Sequence, residues 1–130
     1  MSDLKATPKA SGEKKTYNGS CHCGTVRYSV VTGHNPPVIS CNCSICSKKG
    51  SLLSFVPADD FKLMGGKDHV IDYQFNTMNI HHLFCKTCGV ESFATGTAPN
   101  GEKMVAINVR CLDGFDLETL EPMKYDGKSA

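Results

Sequence analysis

The stretch Gly19-Ser-Cys-His-Cys-Gly-Thr-Val-Arg-Tyr-Ser-Val30 carries two thiols one residue apart, then a glycine, then apolar side chains at every second position. Val26, Tyr28 and Val30 alternate with Arg27 and Ser29, the period of a half-buried antiparallel strand. A thiol pair running straight into a strand points to a metal-pinned β domain. Two further clusters extend the pattern, Cys41-Asn-Cys-Ser-Ile-Cys46 and Cys85-Lys-Thr-Cys88, so that seven of the eight cysteines fall into three tight groups.

Working outward, the same alternation returns at Ile71, Tyr73 and Phe75 and again at Val105, Ile107 and Val109. Shorter strands are expected over residues 38–40, 52–56, 80–84 and 91–95. Turns fall at Gly33 with Pro36-Pro37, at Gly65-Gly66 and at Pro99-Asn100-Gly101. Residues 44–49 suit one helical turn and residues 58–61 another. The chain thus reads as a mainly β domain of many short antiparallel strands, with the cysteine clusters at strand ends. Residues 1–15 are polar and lysine-dotted with almost nothing to bury, so they read as a disordered tail ahead of a domain over 16–130.

At 130 residues the chain fits one domain with a modest core, and tryptophan is absent, so metal crosslinks would supplement apolar burial. A net charge of +1 points to neither nucleic acid nor membrane as a partner. The apolar runs fall far short of a membrane span. Residues 1–15 carry neither the apolar core of a secretory signal nor the arginines of a mitochondrial leader. The expected location is therefore the cytoplasm, with the nucleus also open to it. In that reducing setting, clustered thiols are metal ligands or redox groups rather than disulfides. A thioredoxin-like motif would need a βαβ context that the flanks do not provide.

Structural zinc takes four thiolate or imidazole ligands, whereas catalytic zinc keeps three protein ligands and an open position. Seven clustered thiols divide into a closed group of four and an open group of three, and groups of unequal size suit zinc better than an iron–sulfur cluster. Spacing alone leaves the partition open. Gly24 follows Cys23 and Gly89 follows Cys88, and this similarity suggests that Cys21, Cys23, Cys85 and Cys88 share one metal. Cys41, Cys43 and Cys46 would hold the other, with His22, His81 and His82 as candidate fourth ligands. His81 and His82 face opposite sides of a strand, so at most one can join. Zn²⁺ with three thiolates carries −1, which weakens water activation and favours exchange with a soft sulfur ligand. Lys48 and Lys49, directly beyond Cys46, are candidate charge partners for such a thiol substrate. Cys111 stands apart and reads as a small buried hydrophobe.

Three segments together resemble the glutathione-dependent formaldehyde-activating enzyme family: Gly19–Gly24 with Val26-Arg27-Tyr28, Cys41–Cys46, and Phe84-Cys-Lys-Thr-Cys-Gly-Val-Glu-Ser-Phe93. Phe61-Lys-Leu63 and Tyr73-Gln-Phe-Asn-Thr77 are similar to its centromere protein V branch. The resemblance runs over roughly residues 17–112. It implies an Mss4-like β-tent pinned by two zinc ions, one structural on Cys21, Cys23, Cys85 and Cys88, one catalytic on Cys41, Cys43 and Cys46. It also implies a carbon–sulfur lyase that joins glutathione to formaldehyde and cleaves the adduct. His22 and His82 are the candidate proton shuttles. The competing expectation is a non-catalytic zinc module that binds a protein.

Overall fold

The computed structural model describes residues 11–75, 77–118 and 120–129. Among these residues, ten strands alternate with one short helix, α1 (Cys46–Lys49), and three 3₁₀ turns. β1 (Ser11–Ser20), β2 (Arg27–Asn35) and β5 (Phe61–Gly65) form a three-stranded antiparallel sheet in the order β1-β2-β5. The larger sheet holds β3 (Ile39–Cys41), β4 (Leu53–Pro57), β6 (Val70–Tyr73), β7 (His81–Cys85), β8 (Glu91–Thr97), β9 (Lys103–Asn108) and β10 (Met123–Tyr125). Its order is β10-β3-β4-β9-β8-β7-β6. The mainly β expectation holds. One pairing departs from it, since β10 runs parallel to β3 with Tyr125 opposite Cys41.

Residues 11–15 are a correction to the expected tail. They belong to β1, where Lys14 pairs with Gly33 and Lys15 with Thr32. Polar composition misleads there because a strand at a sheet edge needs only backbone partners to be held. Residues 1–10 of that tail lie outside the described residues.

The main core fills the space between the sheets. Tyr28 packs against Phe61 in a tilted pair with ring centroids 5.1 Å apart, and Phe61 against Phe93 likewise at 4.7 Å. Val30, Val56, Val105 and Ile107 close around them. Each such side chain contributes about 1.5–3 kcal/mol when fully buried. Gly19, opposite Tyr28, has no room for a side chain, because a Cβ would stand 2.5 Å from the Tyr28 ring.

The far face of the large sheet is buried too, which the alternation at Val105, Ile107 and Val109 did not announce. Ala94 and Ala106 pair across β8 and β9 with almost no exposure and pack with Ile39, Cys41, Cys46 and Leu53. Two alanines leave a shallow floor, and α1 settles there with Cys43 and Ile45. At the opposite edge the apolar alternation does not mean burial. Ile71 and Tyr73 on β6 are 55% and 49% exposed, because β6 closes the sheet with nothing beyond it among the described residues.

Candidate metal centres

Cys21 and Cys23 lie beyond the end of β1, and Cys85 and Cys88 at the end of β7, so each pair sits on a chain reversal. The two reversals are built alike. The Cys21 N–H donates to Val26 O and the Cys85 N–H to Val90 O, at 3.0 and 3.1 Å. Gly24 and Gly89 take φ of 83° and 76°, the left-handed region that favours glycine. The matching halves expected from the two glycines are present. All four sulfurs lie within 4.8 Å of one another, with Cys23 Sγ 3.6 Å from both Cys21 Sγ and Cys85 Sγ. A metal–sulfur bond of about 2.3 Å in a tetrahedron gives edges of about 3.8 Å, so these spacings fit a bound ion. Backbone N–H groups of Val26 and Thr87 point at Cys21 Sγ and Cys85 Sγ at 3.4 Å. Burial pushes the Cys21 thiol up to about 11, while the N–H groups of Val90 and Cys23 draw Cys88 down to about 6.

The second group is built on a helical turn rather than a glycine reversal. Cys41 ends β3, Cys43 precedes α1, and Cys46 opens it. Ser47 N–H donates to Cys43 O and Gly50 N–H to Cys46 O, both at 2.9 Å, and Gly50 caps the turn in the left-handed conformation. The three sulfurs lie within 4.8 Å of one another. Among the described residues, no histidine or carboxylate joins either group. Burial pushes the Cys46 thiol up to about 12, and the nearby Lys49 charge counters it. Burial also opposes the Cys43 thiolate, yet the Cys46 N–H and the neighbouring thiols bring that group below its ordinary value.

The candidate histidines part company. His22 is exposed between two members of the four-cysteine group and away from the other three. His81 is at the surface, with Nδ1 2.8 Å from Asp72 Oδ2. His82 is buried and pairs with Ala94, so it shares the sheet face that carries the three-cysteine group. Phe75 stacks on its ring with centroids 5.6 Å apart. The two histidines thus face opposite ways, as strand alternation requires.

Of the two candidate lysines, Lys48 is exposed and Lys49 is largely enclosed. Lys49 Nζ is ion-paired with Glu91 Oε1, and Glu91 Oε2 lies 3.3 Å from His82 Nδ1 without hydrogen-bond alignment. Sequence reasoning missed Glu91. Strict alternation would aim it with Phe93 into the main core. Between Leu83 and Phe84 the register slips so that Phe84 faces Glu91, leaving Ser92 as a bulge. Bulges re-aim side chains, and this one turns Glu91 toward His82 and Lys49. Cys111 is half-buried rather than enclosed, and burial raises its thiol.

The C-terminal strand walls the three-cysteine group. Asn42 N–H donates to Tyr125 O at 3.2 Å, its side-chain amide donates to Asp126 Oδ1, and its Oδ1 accepts from Lys128 N–H, both at 2.9 Å. A cleft of about 250 Å³ lined by Ser40, Cys41, Asn42, Lys124, Tyr125 and Asp126 opens beside it.

The sequence profile described as glutathione-dependent formaldehyde-activating enzyme matches residues 16–125 of this chain. The chain belongs to that family. A Halomonas elongata protein provisionally named a glutathione-dependent formaldehyde-activating enzyme is 35% identical over 78 residues. The matched part is 54% of this chain and 50% of that protein, so the chain spans about half the length of this curated relative. The crystal structure of a Rhodobacter sphaeroides protein superimposes with a TM-score of 0.72 at 27% identity, covering 82% of this family member and 97% of that chain. Among the described residues, no helix is long and apolar enough to cross a membrane.

Proposed function

We propose that this protein is a zinc-dependent carbon–sulfur lyase acting on glutathione–aldehyde adducts or those of a related thiol, in the manner of an S-(hydroxymethyl)glutathione synthase. The observation that carries the reading is the inequality of the two sulfur groups, four against three, within a family named for that chemistry. The four, Cys21, Cys23, Cys85 and Cys88, would saturate a structural ion, which would pin the end of β1 to the end of β7. Three leave a coordination position free, and zinc held by Cys41, Cys43 and Cys46 would supply a soft acceptor for a substrate thiolate.

In the synthetic direction the thiol gives up its proton, its sulfur pair forms the bond to the aldehyde carbon as the carbonyl π pair moves onto oxygen, and that oxygen takes up one proton. The reverse breaks that bond. Holding thiol and aldehyde side by side accounts for most of the acceleration, since the addition needs little activation beyond proximity. His82 fits the proton-handling role better than His22, because it shares the sheet face of the three-cysteine group. Its Nδ1 is enclosed beside Glu91, so Nε2 would exchange the proton. Lys49, held by Glu91, would offset thiolate charge near Cys46, and the exposed Lys48 would be free to meet an anionic substrate.

The test replaces the labile metal with cobalt and follows its sulfur charge-transfer bands. Glutathione should change them and S-methylglutathione, which has no thiolate to offer, should not. Equal responses, or none, would remove the thiol-exchange mechanism and favour a non-catalytic module that binds a protein.

A further inference from the structure

We propose that residues 125–128 are a positioning strap for the three-cysteine group, with Gly127 and Asn42 as the residues that make it work. The inference rests on reading that group as the open metal site, and it concerns how the chain fixes the sulfurs rather than which substrate arrives.

Three observations meet here. The parallel register of β10 on β3 brings Tyr125 opposite Cys41. Asn42, between Cys41 and Cys43, then makes three hydrogen bonds to the strap, its backbone N–H to Tyr125 and its side chain to Asp126 and Lys128. The orientation of that amide is fixed by chemistry, since Lys128 N–H can only donate and the Asp126 carboxylate can only accept. Clasped in this way, Gly127 lies against the sulfurs. A Cβ on it would stand 2.5 Å from Cys41 Sγ and 3.1 Å from Cys43 Cβ. Gly127 is not among the glycines with positive φ, so its backbone does not call for glycine. The missing side chain has one evident use, which is room for Cys41 Sγ. The strap therefore holds that sulfur toward Cys43 and Cys46 from behind. It leaves the cleft beside Ser40, Lys124 and Asp126 as the flank open to solvent.

The test uses the full chain, with cobalt in place of the labile metal, and three variants: Gly127→Ala, Asn42→Ala and the double substitution. In Gly127→Ala the added methyl should displace Cys41 Sγ, shift the cobalt ligand-field bands and weaken binding at this position by about tenfold to a hundredfold, the usual cost of disturbing the shell behind a ligand. The metal of the four-cysteine group should be held as before. Adding Asn42→Ala frees the strap to lift, so the double variant should recover much of the lost affinity. A contact that only stabilised the fold would lower the melting temperature in both single variants and give no such rescue. Separately, Asn42→Ala should speed hydrogen exchange at the Lys128 amide by tenfold or more, since it removes that amide's acceptor. Parent-like cobalt spectra and affinity in Gly127→Ala, or a double variant no better than the single, would overturn the proposal. Unchanged exchange at Lys128 would do the same. If the parent protein takes up no second cobalt, the metal reading fails, and the exchange measurement decides the strap by itself.

Discussion

The two cysteine groups use the same ligand atom in opposite settings. The four-cysteine group ties the end of β1 to the end of β7, strands of different sheets, through two glycine reversals with backbone N–H groups aimed at sulfur. The three-cysteine group gathers its members from one short run of chain, residues 41–46, on the shallow side of a single sheet. With a metal bound, long-range closure would make the first a fastener, and local assembly would make the second a fixture that the fold could carry filled or empty. On the proposed reading, chemistry that needs a vacant or exchanging ligand would sit on the second, because losing a ligand there would not separate the sheets.

Removing a ligand from each group gives the largest effect and the clearest way to break that contrast. Cys85→Ser should cost much of a structural metal's folding energy, on the order of 10 kcal/mol, whereas Cys43→Ser should leave the fold largely intact. Urea unfolding of the two variants checks this, and similar midpoints would dissolve the distinction. A weak chelator should next remove one equivalent of zinc and leave the second, with far-UV circular dichroism unchanged while the first departs. Loss of both ions together with the β signal would show that the groups are not independent.

A third prediction sharpens the picture at the three-cysteine side. Glu91→Gln leaves Lys49 with an uncompensated, largely buried charge, which should cost about 3–5 kcal/mol. Lys49→Met with Glu91→Gln removes both charges and should regain most of that, as measured by denaturant titration. The smallest effect belongs to the surface histidine. His81→Ala breaks a pair with Asp72 that is about 40% exposed on both sides, and should change stability by no more than about 1 kcal/mol. The same substitution at the enclosed His82 should exceed it clearly.

The sequence made the two glycine reversals and most strand positions legible because both are local. A glycine after a thiol pair and a period of two can be read within ten residues. What stayed hidden depends on partners far along the chain. β1 begins four residues before Lys15 because β2 supplies its hydrogen bonds, not because Ser11–Lys15 are apolar. β10 is three residues of unremarkable composition, and only its register against β3 gives it a role. Glu91 looked like one more strand residue because a bulge leaves no mark of its own in the alternation. Lys49 stands near Cys46 in sequence, yet its ion-pair partner, Glu91, lies 42 residues away.

The parallel pairing of β10 with β3 also orders events during synthesis. Cys41, Cys43 and Cys46 leave the ribosome together, but the segment that walls them ends at Lys128, roughly 80 residues later. At about 5–20 residues per second, that interval lasts roughly 4–16 s. For those seconds the trio is a complete ligand set with an open back, exposed to whatever metal or oxidant the compartment offers. The four-cysteine set becomes complete only with Cys88, by which time the earlier thiols have already been waiting. A released chain truncated after residue 120 should therefore hold both sulfur sets while lacking the C-terminal wall, and its metal uptake can be compared with that of the full chain.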